Sequence, residues 1–173
     1  MPRQEKTGDD CGPSSKPDLV WIEPGFALGS KPYDFQRRAV SQLGIRAVVA
    51  LHEPTEGETR AWQAHGVRFY CIPTRDWVQI PVTHFDRVVA LVSASLNLGI
   101  PVLLHCLSGI NRAPTMAAAV LCQTRGLNVD KALAVVKCKR ASAKPTPEQE
   151  SSLRSWFHLR CKGAPEGLAK YKE

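Results

Sequence analysis

A hydrophobic run, Ile100-Pro101-Val102-Leu103-Leu104, opens directly on His105-Cys106-Leu107-Ser108-Gly109-Ile110-Asn111-Arg112, and an alanine-rich stretch from Pro114 to Gln123 follows at once. An apolar run of strand length, a tight turn and a helix start constrain the fold more than any other feature of this chain. Strand, loop and helix N-terminus in that order turn backbone N–H groups toward an anion. Cys106 would sit at the floor of such a nest. There the helix dipole, the converging N–H groups and Arg112 all favour a thiolate. Arg112 can grip two phosphate oxygens in its planar fork. The parts describe a nucleophile beneath a phosphate.

Upstream of this loop, strands and helices alternate. Leu19–Ile22 and Phe26–Ser30 read as short strands around a Pro24-Gly25 turn. A helix over Pro32–Leu43 stops at Gly44, and Ile45–Leu51 is the strongest buried strand. After the loop His52–Gly57, a short helix closes at His65-Gly66 and Val67–Ile72 forms a further strand. Pro73 and Pro81 bound a loop that carries Asp76. Thr83, with Asp86 three residues on, predicts a capped helix reaching Leu98. Helices over Pro114–Arg125, Val129–Cys138 (capped by Asn128) and Pro147–Leu159 finish the domain, the last opening with a Thr146–Gln149 capping box. The pattern predicts an α/β domain with a mainly parallel central sheet flanked by helices, and the Cys106 loop at its ligand-binding edge.

With 173 residues the chain is long enough for one self-sufficient domain, expected over 19–160 between a flexible leader, 1–18, and a basic tail, 161–173. No apolar stretch has the length of a membrane span or a secretory signal. Six cysteines, at 11, 71, 106, 122, 138 and 161, form no CxxC pair and no metal spacing. They read as thiols of a reduced, cytoplasmic compartment, with nuclear access if the source is eukaryotic. No metal and no cofactor is expected. The net charge of +7 comes from scattered Lys and Arg, densest at Lys137–Arg140. That stretch is a solvated basic face or an attractor of anionic substrates. No nucleic-acid recognition motif accompanies it, so no nucleic-acid or membrane partner is expected, and the chain should be a monomer.

Cysteine, five residues and arginine, preceded by His105 and with a glycine inside, resembles the signature of cysteine-dependent protein tyrosine and dual-specificity phosphatases. The strand Phe26-Ala27-Leu28-Gly29-Ser30 is similar to the opening strand of the dual-specificity group. The resemblance implies a phosphate-binding loop made by Leu107, Ser108, Gly109, Ile110, Asn111 and Arg112, with Cys106 as nucleophile. It also implies a general-acid aspartate on a movable loop at nearly the spacing of Asp76, which lies 30 residues before Cys106. Asp86 is better explained by capping, and Glu53, Glu56 and Glu58 belong to an earlier loop. His105 is implied to order the loop from behind, while Ser108 and Asn111 either stiffen it or lie exposed. Sulfur transfer and arsenate reduction use similar cysteine-to-arginine loops but need no upstream acid.

One position departs from the common pattern. Most members of the family carry Ser or Thr directly after the arginine, where a hydroxyl helps the sulfur leave; here Ala113 stands there. Arg-Ala-Pro resembles the phosphatases of regenerating liver and the plant glucan phosphatases. The expected function is hydrolysis of phosphate monoesters, phosphotyrosine together with phosphoserine and phosphothreonine in proteins, through a phosphocysteine. The alternatives are a slow enzyme acting mainly as a phospho-partner-binding or docking protein, and a glucan phosphatase. Cys71 and Cys122 are rival partners for a reversible disulfide with Cys106, against the simpler reading of both as buried reduced thiols. Gln149 is explained by its capping box and is given no catalytic role.

Overall fold

The computed structural model describes residues 14–160; residues 1–13 and the tail 161–173, with Cys11 and Cys161, lie outside the described residues. The elements run β1 (Leu19–Glu23), β2 (Phe26–Gly29), a 3-10 turn (Asp34–Gln36), α1 (Arg37–Gln42), β3 (Ala47–Ala50), α2 (Glu58–Gln63), β4 (Arg68–Cys71), α3 (Val82–Asn97), β5 (Val102–His105), α4 (Arg112–Arg125), α5 (Val129–Lys139) and α6 (Pro147–Arg160). The sheet has the order β1-β2-β5-β3-β4. Only the β1–β2 pair is antiparallel; β5 runs parallel to β2 on one side and to β3 on the other. A strand paired on both edges and covered on both faces must be apolar throughout, which is why Val102-Leu103-Leu104 carries no alternation.

Side chains of β5 divide between two cores. Val102 and Leu104 join Phe26, Leu28, Val49 and Met116 in the larger one, under α3 to α6, and Cys106 belongs to the same cluster. Leu103 points the other way, toward Val40, Ile45, Val48 and Trp62 beneath α1 and α2. His105 shares the parity of Leu103, so the histidine and the cysteine leave the strand end on opposite sides of the sheet. Helix α4 is buried without interruption from Arg112 to Cys122. A helix buried all round needs small residues to let its neighbours approach, and Ala113, Ala117, Ala118 and Ala119 supply them.

Three expectations change at the element ends. The helix expected from Pro32 begins instead as the 3-10 turn, because Gln36 caps it: Tyr33 N donates to Gln36 Oε1 at 2.9 Å. The Gln36 amide then donates to the carbonyls of Ser14 (2.7 Å) and Lys16 (2.9 Å), so the end of the leader is pinned to the domain. Helix α3 starts at Val82 behind Pro81 with no side-chain cap. Asp86 is therefore not a capping residue. It accepts from Trp156 Nε1 at 2.9 Å and from Arg160, which ties α3 to α6. The caps at Asn128 and at Thr146–Gln149 form as the sequence predicts.

Candidate active site

The loop from Cys106 to Arg112 leaves β5 where His105 lies level with Gly29 of β2 and Ala50 of β3. Its shape depends on glycine at two positions. Gly109 has φ +67, and a Cβ there would lie 2.6 Å from the carbonyl group of Gly29 and 2.7 Å from Arg140 Nη2. Gly29 is itself confined, since its own Cβ would meet Asp18 O at 2.4 Å. Two backbones approach so closely that neither residue can carry a side chain. The result at the centre is that Gly109 N–H donates to Cys106 Sγ at 3.2 Å. A backbone donor aimed at the sulfur stabilises its negative charge.

Arg112, the first residue of α4, is buried and held by one end of its guanidinium. Nη1 donates to Leu51 O (3.1 Å) and Thr74 O (2.9 Å), carbonyls at the C-terminal ends of β3 and β4. Nε makes no directed hydrogen bond and stands 3.2 Å from Asp76 Oδ2. The loop carrying Asp76 therefore arches over the arginine. A cleft of about 370 Å³ opens there, lined by Lys31, His52, Thr74, Asp76, Leu107 and Arg112 among others.

Two side chains from the helical half complete the arrangement. Gln149 fills its capping box and also donates from Nε2 to Asp76 Oδ1 at 3.0 Å, so capping does not account for it fully. The same loop is tied to α6 a second time, where Ile80 N donates to Ser152 Oγ at 3.0 Å. Arg140 is likewise no member of a solvated basic face. It is buried, donates from Nε to Gly109 O (2.8 Å) and from Nη2 to Ser108 O (3.3 Å), and grips both carboxylate oxygens of Asp18. The hydrogen-bonded Arg140 guanidinium holds the Asp18 carboxyl below the usual range, against the opposing effect of partial burial. With Lys144 N donating to Ile110 O and the Asn111 amide donating to Lys144 O, both at 2.7 Å, the loop's outward carbonyls have fixed donors. Its N–H groups are left free to turn inward.

Behind the loop, His105 Nδ1 donates to Cys106 O at 3.1 Å. Complete burial drives this imidazole down to about 3, so it is neutral and acts as a hydrogen-bonding strut. Its ring lies 5.3 Å from that of His52, whose Nε2 is 3.5 Å from Glu58 Oε1. Glu58 is not a loop residue but the buried start of α2. Burial pushes its carboxyl up, yet the Thr55 hydrogen bonds and the nearby His52 and Lys31 charges leave it lowered on balance. Cys71 donates its thiol proton to His52 O at 2.9 Å, and burial pushes that thiol up to about 11. The cysteines at 71, 106 and 138 are free thiols. Ala113 is fully buried, and the nearest following hydroxyl, on Thr115, is spent on Asn111 O at 2.8 Å.

The structure brings Arg112 and Asp76 together in one cleft and sets Cys106, fully buried, at the start of the loop whose Leu107 lines it, with Ser108 exposed and Asn111 buried. The sequence pattern misses Gln149, Arg140 and Asp18. The only signal for them was a glutamine with an amide to spare and one arginine in a basic run.

The dual specificity phosphatase catalytic domain model matches residues 27–158. The chain belongs to the dual-specificity phosphatase family. It is 27% identical over 141 residues to dual specificity phosphatase 28 of Homo sapiens, covering 81% of this chain and 78% of that protein. It is 26% identical over 146 residues to dual specificity protein phosphatase Mpk3 of Drosophila melanogaster, covering 82% of this chain but only 35% of the relative. Among solved structures, Tk-PTP in its active form superposes with a TM-score of 0.77 at 27% identity, covering 82% of this chain and 97% of the other. Among the described residues no helix is long and apolar enough to cross a membrane.

Proposed function

We propose that this chain hydrolyses phosphate monoesters of proteins, phosphotyrosine together with phosphoserine and phosphothreonine, through a phosphocysteine on Cys106. The observation that carries this reading is the meeting of Asp76 with Arg112 at one cleft, at the end of the loop that begins with Cys106. Gly109 N–H donates to Cys106 Sγ at 3.2 Å, and the buried Arg112 Nε faces Asp76 Oδ2 at 3.2 Å. The Cys106 thiolate attacks phosphorus as the bond to the leaving oxygen breaks. The amides of residues 107 to 112 and the Arg112 guanidinium hold the three equatorial oxygens, over which transition-state charge is spread. Asp76, in its acid form, gives its proton to the departing oxygen, so the product leaves as an alcohol or phenol. Water then attacks the phosphocysteine, Asp76 takes a proton from it, and the S–P bond breaks to release inorganic phosphate and the thiolate.

Ala113 supports a refinement of the same chemistry. No hydroxyl follows the arginine, and Thr115 is committed elsewhere. The sulfur therefore leaves in the second step without the help of a side-chain hydroxyl, with the Gly109 N–H as its donor, and the phosphocysteine accumulates. Such an enzyme holds its phosphoryl group longer than it needs to form it.

The test is phosphate release from phosphotyrosine, phosphothreonine and phosphoserine peptides under reducing conditions. Wild type releases phosphate and Cys106→Ser releases none. Phosphate release that survives Cys106→Ser would refute the proposal.

A further inference from the structure

Three of the exposed large apolar side chains gather beside the cleft. Tyr33 and Phe35, each 57% exposed, stack face to face with ring centroids 5.6 Å apart and planes within 6°. Leu107, the residue after Cys106, is also 57% exposed. Together with Lys31, Pro32 and Asp34 these side chains line a groove of about 500 Å³. The groove and the catalytic cleft share two walls, Lys31 and Leu107. They are also joined through the backbone, since Lys31 N donates to Leu107 O at 3.0 Å. The Tyr33–Gln36 cap fixes the turn that carries the two rings. This is a preformed surface continuous with the Arg112–Asp76 cleft.

We infer that the Tyr33–Phe35–Leu107 groove is a substrate subsite that takes an aromatic or large aliphatic side chain close in sequence to the phosphorylated residue. The inference rests on the phosphatase reading given above and names the protein segment that reading would act on. A phosphopeptide with its phosphoryl group on Arg112 must cross the rim of the cleft, and one rim is this groove. Three extended residues span about 10 Å, so a neighbouring side chain reaches an adjoining groove without rearrangement. Charge points to the same occupant. Lys31 stands 3.6 Å from Glu58, and Asp34 is paired with Arg37 at 2.7 Å, so both charges at the groove already have partners. What remains is apolar surface, which favours a neutral apolar side chain and stacks well with an aromatic one. The flat pair of rings offers that contact at little cost in side-chain entropy.

The experiment compares two phosphotyrosine peptides of equal length and charge. One carries Phe, the other Ser, at both positions two residues from the phosphotyrosine. Wild type is expected to favour the Phe peptide by about tenfold in kcat/KM, mostly through KM, the scale of one well-placed aromatic contact. In the double variant Tyr33→Ser/Phe35→Ser that ratio falls toward one, and Phe35→Leu keeps part of it. The ratio is taken within each variant, so it does not depend on how much of a preparation is folded. A wild-type ratio near one, with both peptides hydrolysed, overturns the subsite and leaves the phosphatase reading standing. A ratio that survives the double variant overturns it too, by placing the preference elsewhere. If neither peptide shows Cys106-dependent hydrolysis, the phosphatase reading itself fails and the subsite falls with it.

Discussion

Gln149 divides one amide between two partners, Oε1 accepting from Thr146 N and Nε2 donating to Asp76 Oδ1. Its loss should therefore act on protonation of the leaving group more than on phosphate binding. Gln149→Met is expected to lower kcat/KM, which reports the first step, about tenfold on phosphoserine peptides, whose alkoxide must be protonated, and about twofold on 4-nitrophenyl phosphate, whose leaving group departs unaided. Losing half of the capping box lowers stability by about 1 kcal/mol, read by urea denaturation. An equal loss on both substrates would show that Gln149 does not serve the acid. Ala113 makes the opposite kind of prediction. Ala113→Ser restores a hydroxyl directly after the arginine and should raise steady-state turnover several-fold while leaving the first, phosphoryl-transfer phase at its wild-type rate in stopped flow. No gain in turnover would remove Ala113 from the account of the slow step.

Between elements, the decisive link is Arg140, which joins the end of α5, the Cys106–Arg112 loop and the segment leading into β1. Arg140→Met leaves the carbonyls of Gly109 and Ser108 without their donor and Asp18 without its partner. It is expected to cost about 2 kcal/mol of stability, discounted because Asp18 is largely exposed, and to raise KM for phosphate esters as the loop loosens. Denaturation and steady-state kinetics on the same preparation check both halves; a stability loss with KM unmoved would make Arg140 purely structural. This element also marks where sequence reading stops. Lys137-Cys138-Lys139-Arg140 has one charge sign and helical spacing throughout, so nothing in it distinguishes the one cation that turns inward. The distinction arises because α5 ends at Lys139 and Arg140 leaves it with extended backbone, φ −128 and ψ 92. The pairing of Asp86 is hidden for the related reason that its partners, Trp156 and Arg160, are distant in sequence. By contrast the placement of Cys106, Gly109 and Arg112 between a buried strand and a helix start is legible, because a run of seven residues keeps all three together locally.

On the scale of the whole molecule, alternating strands and helices predicted the mainly parallel sheet, since a buried central strand must be apolar and parallel neighbours need crossovers. The burial of His105 gives the folded chain a pH dependence. This imidazole titrates at about 3 when folded, against 6.5 as the ordinary value. The unfolded chain therefore takes up a proton below pH 6.5 that the folded chain refuses. The stability at stake is fully present above that pH and is lost as pH falls toward 3, at up to about 1.4 kcal/mol per pH unit. Urea denaturation at pH 7, 6 and 5 should show His105→Gln losing stability less steeply than wild type by roughly one proton. Equal slopes would contradict the assignment.

The phosphocysteine is the centre of the account, and the millisecond time course of phenol release from an aryl phosphate tests it most directly. With enzyme at micromolar concentration, wild type should give a burst approaching one phenol per active site, then slow linear turnover, while Cys106→Ser gives neither. A Cys106-dependent linear release with no burst would contradict rate-limiting hydrolysis of the intermediate. Undiminished release by Cys106→Ser would contradict the phosphocysteine itself.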